Sequence, residues 1–273
     1  MVGMTEVMIR TTLLPTDHSQ EMIERLHTST VPYAAFGDSH VESAIAARQD
    51  LDNFGVASDN FDTVAARIHV RLSGQPLKGV ILQADPELFS VYRTTADQSL
   101  RVEELQRRGR PPLLAIMRPA YRPYIVRYFW AMLRTPSLLF GRRAEAPPKE
   151  STSVSVSERD AQIRAQLQVP SAQFQDGATS REYSRLVSRL TAAGVAVCMV
   201  SFPLSGPYRR ATADLPPFAA AYDWFAGEAR RLGVRYLDLR ALYADSLFHD
   251  PDHLAHDLAV PFTATVMKEC FAR

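Results

Sequence analysis

The sequence predicts an α/β protein built on a five-stranded parallel sheet. Short, continuously apolar runs recur along the chain, and segments with apolar residues at helical spacing separate most of them. Continuous rather than alternating runs are typical of strands that helices cover on both faces. We therefore expect three layers, strand order 2-1-3-4-5, and a helical cap inserted in the chain.

The five predicted strands are residues 32–36, 51–56, 79–84, 195–202 and 234–239. Helical patterns follow most of them, as in "FDTVAARIHVRL" and "FAAAYDWFAGEARRLG". Gly194 and Gly233 each end such a pattern directly before a strand, which is the usual place for a helix C-terminal cap.

The long interval between the third and fourth strands interrupts this alternation. Its first part is aromatic, basic and punctuated by proline, and "GRRAEAPPKESTSVSVSERD" follows with the composition of a surface loop. We predict a single domain over 1–273 with a helical and flexible insertion at about 105–175. Residues 110–140 could contact a membrane surface or a protein partner, or simply pack on the main core.

Composition excludes some classes of function. A formal net charge of +1 gives no reason to expect a nucleic-acid partner. Cys198 and Cys270 lie too far apart for a zinc or redox motif, and the apolar run around Cys198 predicts a buried structural thiol. Without a signal sequence or a run of eighteen apolar residues, the chain is expected to be soluble and cytoplasmic. It would be periplasmic or membrane-associated if an N-terminal anchor is missing.

Ser39 is the first candidate for chemistry. In "YAAFGDSHVE" an apolar run stops at Gly-Asp-Ser-His and a helical pattern follows. A strand, a tight turn and a helix can expose a hydroxyl above a sheet. The alternative is that Ser39 is an ordinary helix N-cap.

Asp250 and His253 are the second candidates, in "LFHDPDHLAHDLAVPFT". A serine nucleophile needs a base to take its proton, and the base needs an acid to fix its tautomer. Because loops at the carboxyl ends of parallel strands share one crevice, both residues can meet Ser39 there. Alternatively, Asp250 or Asp252 only caps the last helix.

"FGDSH", "LDNFGVAS" and "DPDHL", in this order, resemble the sequence blocks of the SGNH (GDSL-type) hydrolase and acyltransferase superfamily. The resemblance implies a flavodoxin-like fold with Ser39 as nucleophile, His253 as general base and Asp250 as its orienting carboxylate. The backbone amides of Ser39 and Gly55 would bind the oxyanion. No cofactor and no metal are implied.

The third block departs from the family pattern. Family hydrolases carry Gly-x-Asn there, whereas this chain has "ILQADPELF", with Asp85 about where the asparagine would lie. An ionised aspartate only accepts hydrogen bonds, so it cannot donate to an oxyanion. Either Asp85 is protonated, or Gln83 or a backbone amide replaces it, or this donor is absent.

"DPELF" is similar to SGNH-like proteins that modify cell-surface polymers. The resemblance implies a serine-dependent acyl-ester hydrolase or O-acyltransferase that forms an acyl-enzyme. Its partner would be a small-molecule or glycan acyl ester, with acetyl groups on carbohydrate or cell-surface polymer as the preferred substrate. The alternative is a non-catalytic binding or scaffold protein on a degenerate SGNH fold.

Further polar residues could contact a substrate. His40 follows the nucleophile, Arg93 follows the third block, and Tyr208 and Arg209 follow the fourth strand. Each could equally be an ordinary loop residue. The histidines near the C-terminal block have spacings that zinc could use, but the SGNH interpretation explains them without a metal.

Overall fold

A computed structural model describes residues 18–106 and 156–272. The chain divides into two units, residues 1–25 with 103–150 and residues 26–102 with 151–273. Of the first unit, the described residues are 18–25, in helix α1 (His18–Thr28), and 103–106, in helix α5 (Ser99–Gln106). All that follows concerns the second unit.

The predicted sheet is confirmed in strand number, direction and order. The strands are β1 (Tyr33–Gly37), β2 (Leu51–Gly55), β3 (Gly79–Gln83), β4 (Ala196–Ser201) and β5 (Arg235–Asp238). They pair in parallel in the order β2-β1-β3-β4-β5. The order reverses direction after β2, and in such sheets the crevice beyond the carboxyl ends of the strands is the usual position of a site.

The remaining helices of this unit are α2 (Ser39–Ala44), α3 (Phe61–Leu72), α4 (Val91–Thr94), α6 (Glu158–Leu167), α7 (Ala178–Ala192), α8 (Gly206–Ala213), α9 (Pro216–Leu232) and α10 (Ala259–Phe271). Short 3₁₀ turns span Pro86–Phe89, Phe174–Asp176, Asp245–Leu247 and His256–Leu258. Gly194 and Gly233 have φ of +77° and +67°, the left-handed backbone that a glycine cap supplies.

Helices cover both faces of the sheet. On one face α2 packs against β2, and α10 packs against β5 and α2, around a core that includes Phe202 and Phe262. On the other, α3 packs against β1 and α7, and α7 also packs against β4 and α9. Tyr183 of α7 contacts the rings of Phe61 and Phe225 in that layer. β1, β3 and most of β4 are therefore buried on both faces, as their continuous apolar runs predict, whereas the edge strand β5 is partly exposed.

Cys198 and Cys270 form a disulfide that joins β4 to α10. The expectation of a buried free thiol at Cys198 was wrong. The sulfurs meet because α10 runs back across the sheet face to which Cys198 points. The bond closes a loop of 72 residues, for which the chain-entropy model gives about 4 kcal/mol of stabilisation.

The predicted insertion lies only partly within the described residues. Helix α6 and the 3₁₀ turn Phe174–Asp176 belong to it, and α6 packs against α8 beside the sheet. Residues 107–155, and with them the proposed contact surface 110–140, lie outside the described residues. Among residues 18–106 and 156–272, no helix combines the length and the apolar character needed to cross a membrane.

Candidate active site

Ser39 is the first residue of α2, directly beyond the end of β1. Asp38, not Ser39, is the N-cap, because its Oδ1 accepts a hydrogen bond of 2.9 Å from the His40 amide. Asp38 is anchored in turn, since its own amide donates to Gln83 Oε1 at 2.7 Å. Asp38 and His40 are buried, whereas Ser39 between them is partly exposed. The turn thus presents one hydroxyl to the crevice.

Gly37 allows this turn to pack closely on β3. A Cβ atom added there would lie 2.4 Å from a methyl of Val41 and 2.5 Å from Gln83 Oε1. The side chain of Gln83 is held by the Asp38 amide, so it has little room to move. A larger residue at position 37 would therefore displace the start of α2 and with it Ser39.

His253 lies in the loop between β5 and α10. The main chain folds back on itself there, with an antiparallel bridge between Phe248 and Leu254 and a 2.9 Å bond from the His249 amide to the His253 carbonyl. The carbonyl of Pro251 accepts bonds from both the amide and the hydroxyl of Ser205. These bonds hold the loop against the start of α8, so that the side chain of His253 is directed toward the crevice.

Ser39, His253 and Asp250 form a hydrogen-bonded chain. Ser39 Oγ lies 2.8 Å from His253 Nε2, and His253 Nδ1 lies 2.9 and 3.0 Å from the two Asp250 carboxylate oxygens. Since a carboxylate only accepts, Nδ1 carries a proton and Nε2 of the neutral ring faces the serine hydroxyl. This is the tautomer in which a histidine can take a proton from a serine.

A second carboxylate lies beside the same nitrogen. Asp252 Oδ1 is 3.2 Å from His253 Nδ1, and the Asp252 side chain is fully buried, whereas that of Asp250 is 29% exposed. Burial lowers the pKa of His253, but the hydrogen bonds to Asp250 and the nearby Asp252 carboxylate outweigh it and raise the pKa to about 9. Sequence reasoning had placed Asp252 at most as a helix cap, yet α10 has no side-chain cap.

A buried cluster of charged groups lies around His40, next to the hydrogen-bonded chain of Ser39, His253 and Asp250. Its Nδ1 is 2.6 Å from Glu87 Oε1 and 3.3 Å from Asp85 Oδ2, and its Nε2 is 3.7 Å from Asp252 Oδ2. Burial lowers the pKa of His40, but these three carboxylates outweigh it and hold the pKa well above its usual value. Burial also raises the pKa of Glu87, to about 7. The side chain of His40 is therefore buried among carboxylates and does not line the crevice.

The two amides expected to bind an oxyanion have different surroundings. No described residue accepts a hydrogen bond from the Ser39 amide. The Gly55 amide instead donates to Asn53 Oδ1 at 2.7 Å, and a Cβ atom at Gly55 would lie 2.3 Å from the Glu42 amide nitrogen. Asn53 also donates to the carbonyls of Val41 and Ile45, so this residue ties β2 to α2. The Gly55 amide is thus engaged within the protein.

The atypical third block also points inward. Asp85 is buried, and its Oδ1 accepts from the Phe202 amide at 3.0 Å. Burial raises the pKa of Asp85. Gln83, the suggested replacement donor, gives its Nε2 hydrogens to Glu87 at 2.7 Å and Asp85 at 3.2 Å. Neither side chain is directed at Ser39, and both support the cluster around His40.

The other candidate substrate contacts are mostly interior. Arg93 is buried and donates to Asp38 Oδ2 at 2.8 Å, so it holds the turn before Ser39. Tyr208 is buried and its hydroxyl donates to Gln168. Burial of these side chains corrects the expectation that they reach a substrate. Arg209 is half-buried and lines a cleft of about 350 Å³ with Arg240.

Within the described ranges 18–106 and 156–272, two groups of three side chains bring possible ligand atoms close enough for a cation: His40, Asp252 and His253, and Asp38, His40 and Glu87. The contacts within each group are those of histidine nitrogens with carboxylates, which protons explain without a metal. We assign no metal role to them. His249 and His256, which the spacing suggested, belong to neither group, although their rings lie 6.2 Å apart.

No family model matches this chain, and no curated protein has a significantly similar sequence. The features that bear on function are therefore the geometry of the site and the three sequence blocks that resemble the SGNH superfamily. Apart from those blocks, the sequence reveals only some of the polar residues that surround Ser39, His253 and Asp250. "DPDH" and "DPELF" signal paired acids. Nothing in the sequence marks Arg164 or Gln168 as partners of Asp252, although an Arg164 guanidinium nitrogen lies 3.3 Å from its Oδ1 and Gln168 donates to its Oδ2 at 2.9 Å.

Proposed function

We propose that this chain is a serine-dependent acyl-ester enzyme of the SGNH type, a hydrolase or an O-acyltransferase, that works through an acyl-enzyme on Ser39. The observation that carries the proposal is the 2.8 Å contact between Ser39 Oγ and His253 Nε2, with Asp250 on the other ring nitrogen. This constellation activates a hydroxyl for attack on a carbonyl.

The steps follow from the hydrogen bonds. Ser39 Oγ attacks the ester carbonyl carbon as its proton passes to His253 Nε2. The tetrahedral oxyanion accepts a hydrogen bond from the Ser39 amide, and one such donor is typically worth about 3 kcal/mol of barrier. The ester C–O bond then breaks, and the leaving alkoxide takes the proton from Nε2. The acyl group is left on Ser39 as an ester.

The second half repeats the first with another nucleophile. His253 takes a proton from water or from a sugar hydroxyl, the oxygen attacks the acyl carbon, and Ser39 Oγ leaves with the proton from Nε2. Water gives hydrolysis and a hydroxyl gives transfer. The likeness of "DPELF" to proteins that modify cell-surface polymers favours O-acyl groups, most simply acetyl, on carbohydrate or cell-surface polymer.

The disulfide supports an oxidising compartment for this activity. Disulfides persist in secreted and periplasmic proteins and are rare where thiols are kept reduced. The Cys198–Cys270 bond therefore favours the periplasmic or extracellular alternative over the cytoplasmic one. An enzyme that modifies surface polymers would work in such a compartment.

The test is labelling by a fluorophosphonate probe together with release of p-nitrophenol from p-nitrophenyl acetate. We expect labelling of the wild type at Ser39, located by mass spectrometry, and at least about a 10³-fold loss of turnover in Ser39→Ala. Ser43→Ala is the matched control, because Ser43 lies on the same helix and its hydroxyl donates to the carbonyls of Ser39 and His40, away from His253.

Each outcome has a distinct meaning. Steady turnover supports a hydrolase, and a burst of one equivalent without turnover supports a transferase that lacks its acceptor. A folded wild type that neither labels nor releases p-nitrophenol would reject the enzyme proposal. The binding or scaffold alternative would then be preferred, and the internal use of the Gly55 amide is the observation that favours it.

A further inference from the structure

His40 has no role in the steps above, yet it lies next to the catalytic histidine. Its ring centroid is 4.9 Å from that of His253, and the side chain is 3% exposed. Buried titratable groups that meet several charges are a feature of functional sites more often than of ordinary cores. The cluster around His40 is therefore the strongest unexplained feature of the described residues.

Carboxylates surround His40 from three segments. Asp38 Oδ1, from the turn before α2, lies 3.8 Å from Nδ1, and the Arg93 guanidinium balances the charge of Asp38. Glu87 and Asp85, from the segment after β3, lie 2.6 and 3.3 Å from the same nitrogen. These carboxylates favour a protonated ring, while the Gln83 side-chain amide nitrogen, a donor, lies 3.1 Å from the same Nδ1.

Asp252, from the loop after β5, lies between the two imidazole rings. Its Oδ1 faces His253 Nδ1 at 3.2 Å, and its Oδ2 faces His40 Nε2 at 3.7 Å. Oδ2 also accepts a 2.9 Å bond from Gln168, and Oδ1 lies 3.3 Å from a guanidinium nitrogen of Arg164. This carboxylate is thus shared among two histidines, an amide and an arginine.

Two buried atoms along this path lack a well-formed hydrogen bond. They are His40 Nε2 and Asp252 Oδ1, and each has only the longer ionic contacts given above. A buried polar atom without a hydrogen bond destabilises the folded protein. Packing alone gives no reason for that destabilisation, whereas an electrostatic role toward His253 does.

We propose that Asp252 is a second positioning carboxylate of the general base His253. On the other side of Asp252, the buried and positively charged His40 weakens the stabilisation that Asp252 gives to the His253 proton. The inference rests on the proposed function. Asp250 orients the ring from the crevice side, and Asp252 acts from the interior, where charge is screened less. The charged groups that face His253 are then Asp250, Asp252, His40 and, through the carboxylates, Arg164.

The proposal predicts that two substitutions shift the pH at which His253 loses its proton in opposite directions. Asp252→Asn removes a negative charge beside Nδ1, so His253 should lose its proton at a pH lower by about one unit. His40→Asn removes a positive charge from the far side of Asp252, so His253 should hold its proton to a higher pH. A purely structural role for either residue would destabilise the protein without this pattern.

The experiment is ¹⁵N NMR titration of the histidine side chains in the full chain, with His253 assigned from its absence in His253→Gln. We expect the two opposite shifts, and no shift in Asp257→Asn, a matched control on the same loop whose side chain is exposed. The acid limb of kcat/KM for p-nitrophenyl acetate should move in parallel. Unchanged His253 titration in both folded variants would overturn the proposal.

Two further outcomes of the titration experiment also test the proposal. If a variant does not fold, the titration of His40 in the wild type still tests the proposal. The proposal requires both His40 nitrogens to be protonated at pH 7, and a neutral His40 would refute it. NMR titration needs no turnover. Opposite shifts in a protein without esterase activity would therefore reject the proposed function alone, and turnover without such shifts would reject only the role of Asp252 and His40.

Discussion

The hydroxyl of Ser39 and Nε2 of His253 lie 2.8 Å apart although 214 residues separate them in the chain. The contact exists because both residues follow strands whose carboxyl ends open on the same edge of a parallel sheet. Hydrogen bonds of Asp38 fix the serine side and bonds to Pro251 fix the histidine side. The hydrogen-bonded pair is thus held in place by bonds on two distant segments of the chain.

Loss of the Asp250 charge should slow catalysis without unfolding the protein. In Asp250→Asn the amide oxygen can still accept from the amides of Asp252 and His253, which Asp250 Oδ1 now binds at 3.1 and 2.9 Å. The negative charge that stabilises the His253 cation is gone, so kcat/KM should fall by about 10²–10⁴-fold. Asp257→Asn is the control, and equal activity of the two variants would contradict the role of Asp250.

Activity should rise with pH through the mildly alkaline range. His253 acts as a base only when its ring is neutral, and its pKa is raised to about 9 by Asp250 and Asp252 against the opposing effect of burial. At pH 7 only about 1% of the free enzyme then has a neutral His253. The profile of kcat/KM, corrected for spontaneous hydrolysis, should show its acid limb near pH 9. A limb near pH 6.5 would mean that the carboxylates do not hold the proton.

Asn53→Ala should affect both stability and activity. Asn53 Nδ2 donates to the carbonyls of Val41 at 2.9 Å and Ile45 at 2.5 Å, so its loss releases the helix that begins with Ser39. We expect about 2–3 kcal/mol of destabilisation and a lower kcat under conditions where the variant is folded.

Asn60→Ala is the matched control for that variant. Asn60 caps α3, and its Oδ1 accepts from the Thr63 amide at 3.1 Å. The variant also loses the bonds of Asn60 with the Thr63 hydroxyl and the Ala96 carbonyl, so it should likewise cost about 2–3 kcal/mol and leave kcat unchanged. The comparison uses urea unfolding and p-nitrophenyl acetate turnover. Equal kcat values for Asn53→Ala and the wild type would show that Asn53 does not position Ser39.

Reduction of the disulfide should destabilise the protein. The Cys198–Cys270 bond ties β4 to α10 across a loop of 72 residues, and loss of such a bond typically costs 2–5 kcal/mol. Dithiothreitol should therefore lower the midpoint of urea unfolding in the wild type. The variant with both cysteines changed to serine should start low and not respond, and a response there would point to another cause.

The sequence by itself determined the sheet and the three residues of the hydrogen-bonded chain. Strands covered on both faces need continuous apolar runs, so each run marked a strand to within two residues. Gly194 and Gly233 marked helix ends because only glycine adopts positive φ at little cost. Ser39, Asp250 and His253 were found because acid–base chemistry restricts the residue types and the loop that can carry it.

Only the tertiary structure decided what surrounds those residues. Cys270 meets Cys198 because α10 packs on β4, which no spacing reveals. Asp252 faces two histidines because the loop after β5 turns its side chain inward, while Asp250, two residues earlier, faces the crevice. Burial and charge at a site are properties of many segments brought together. The type of each residue can be read from the sequence. The electrostatic field at His253 is a sum of contributions from several segments, and only the fold brings those segments together.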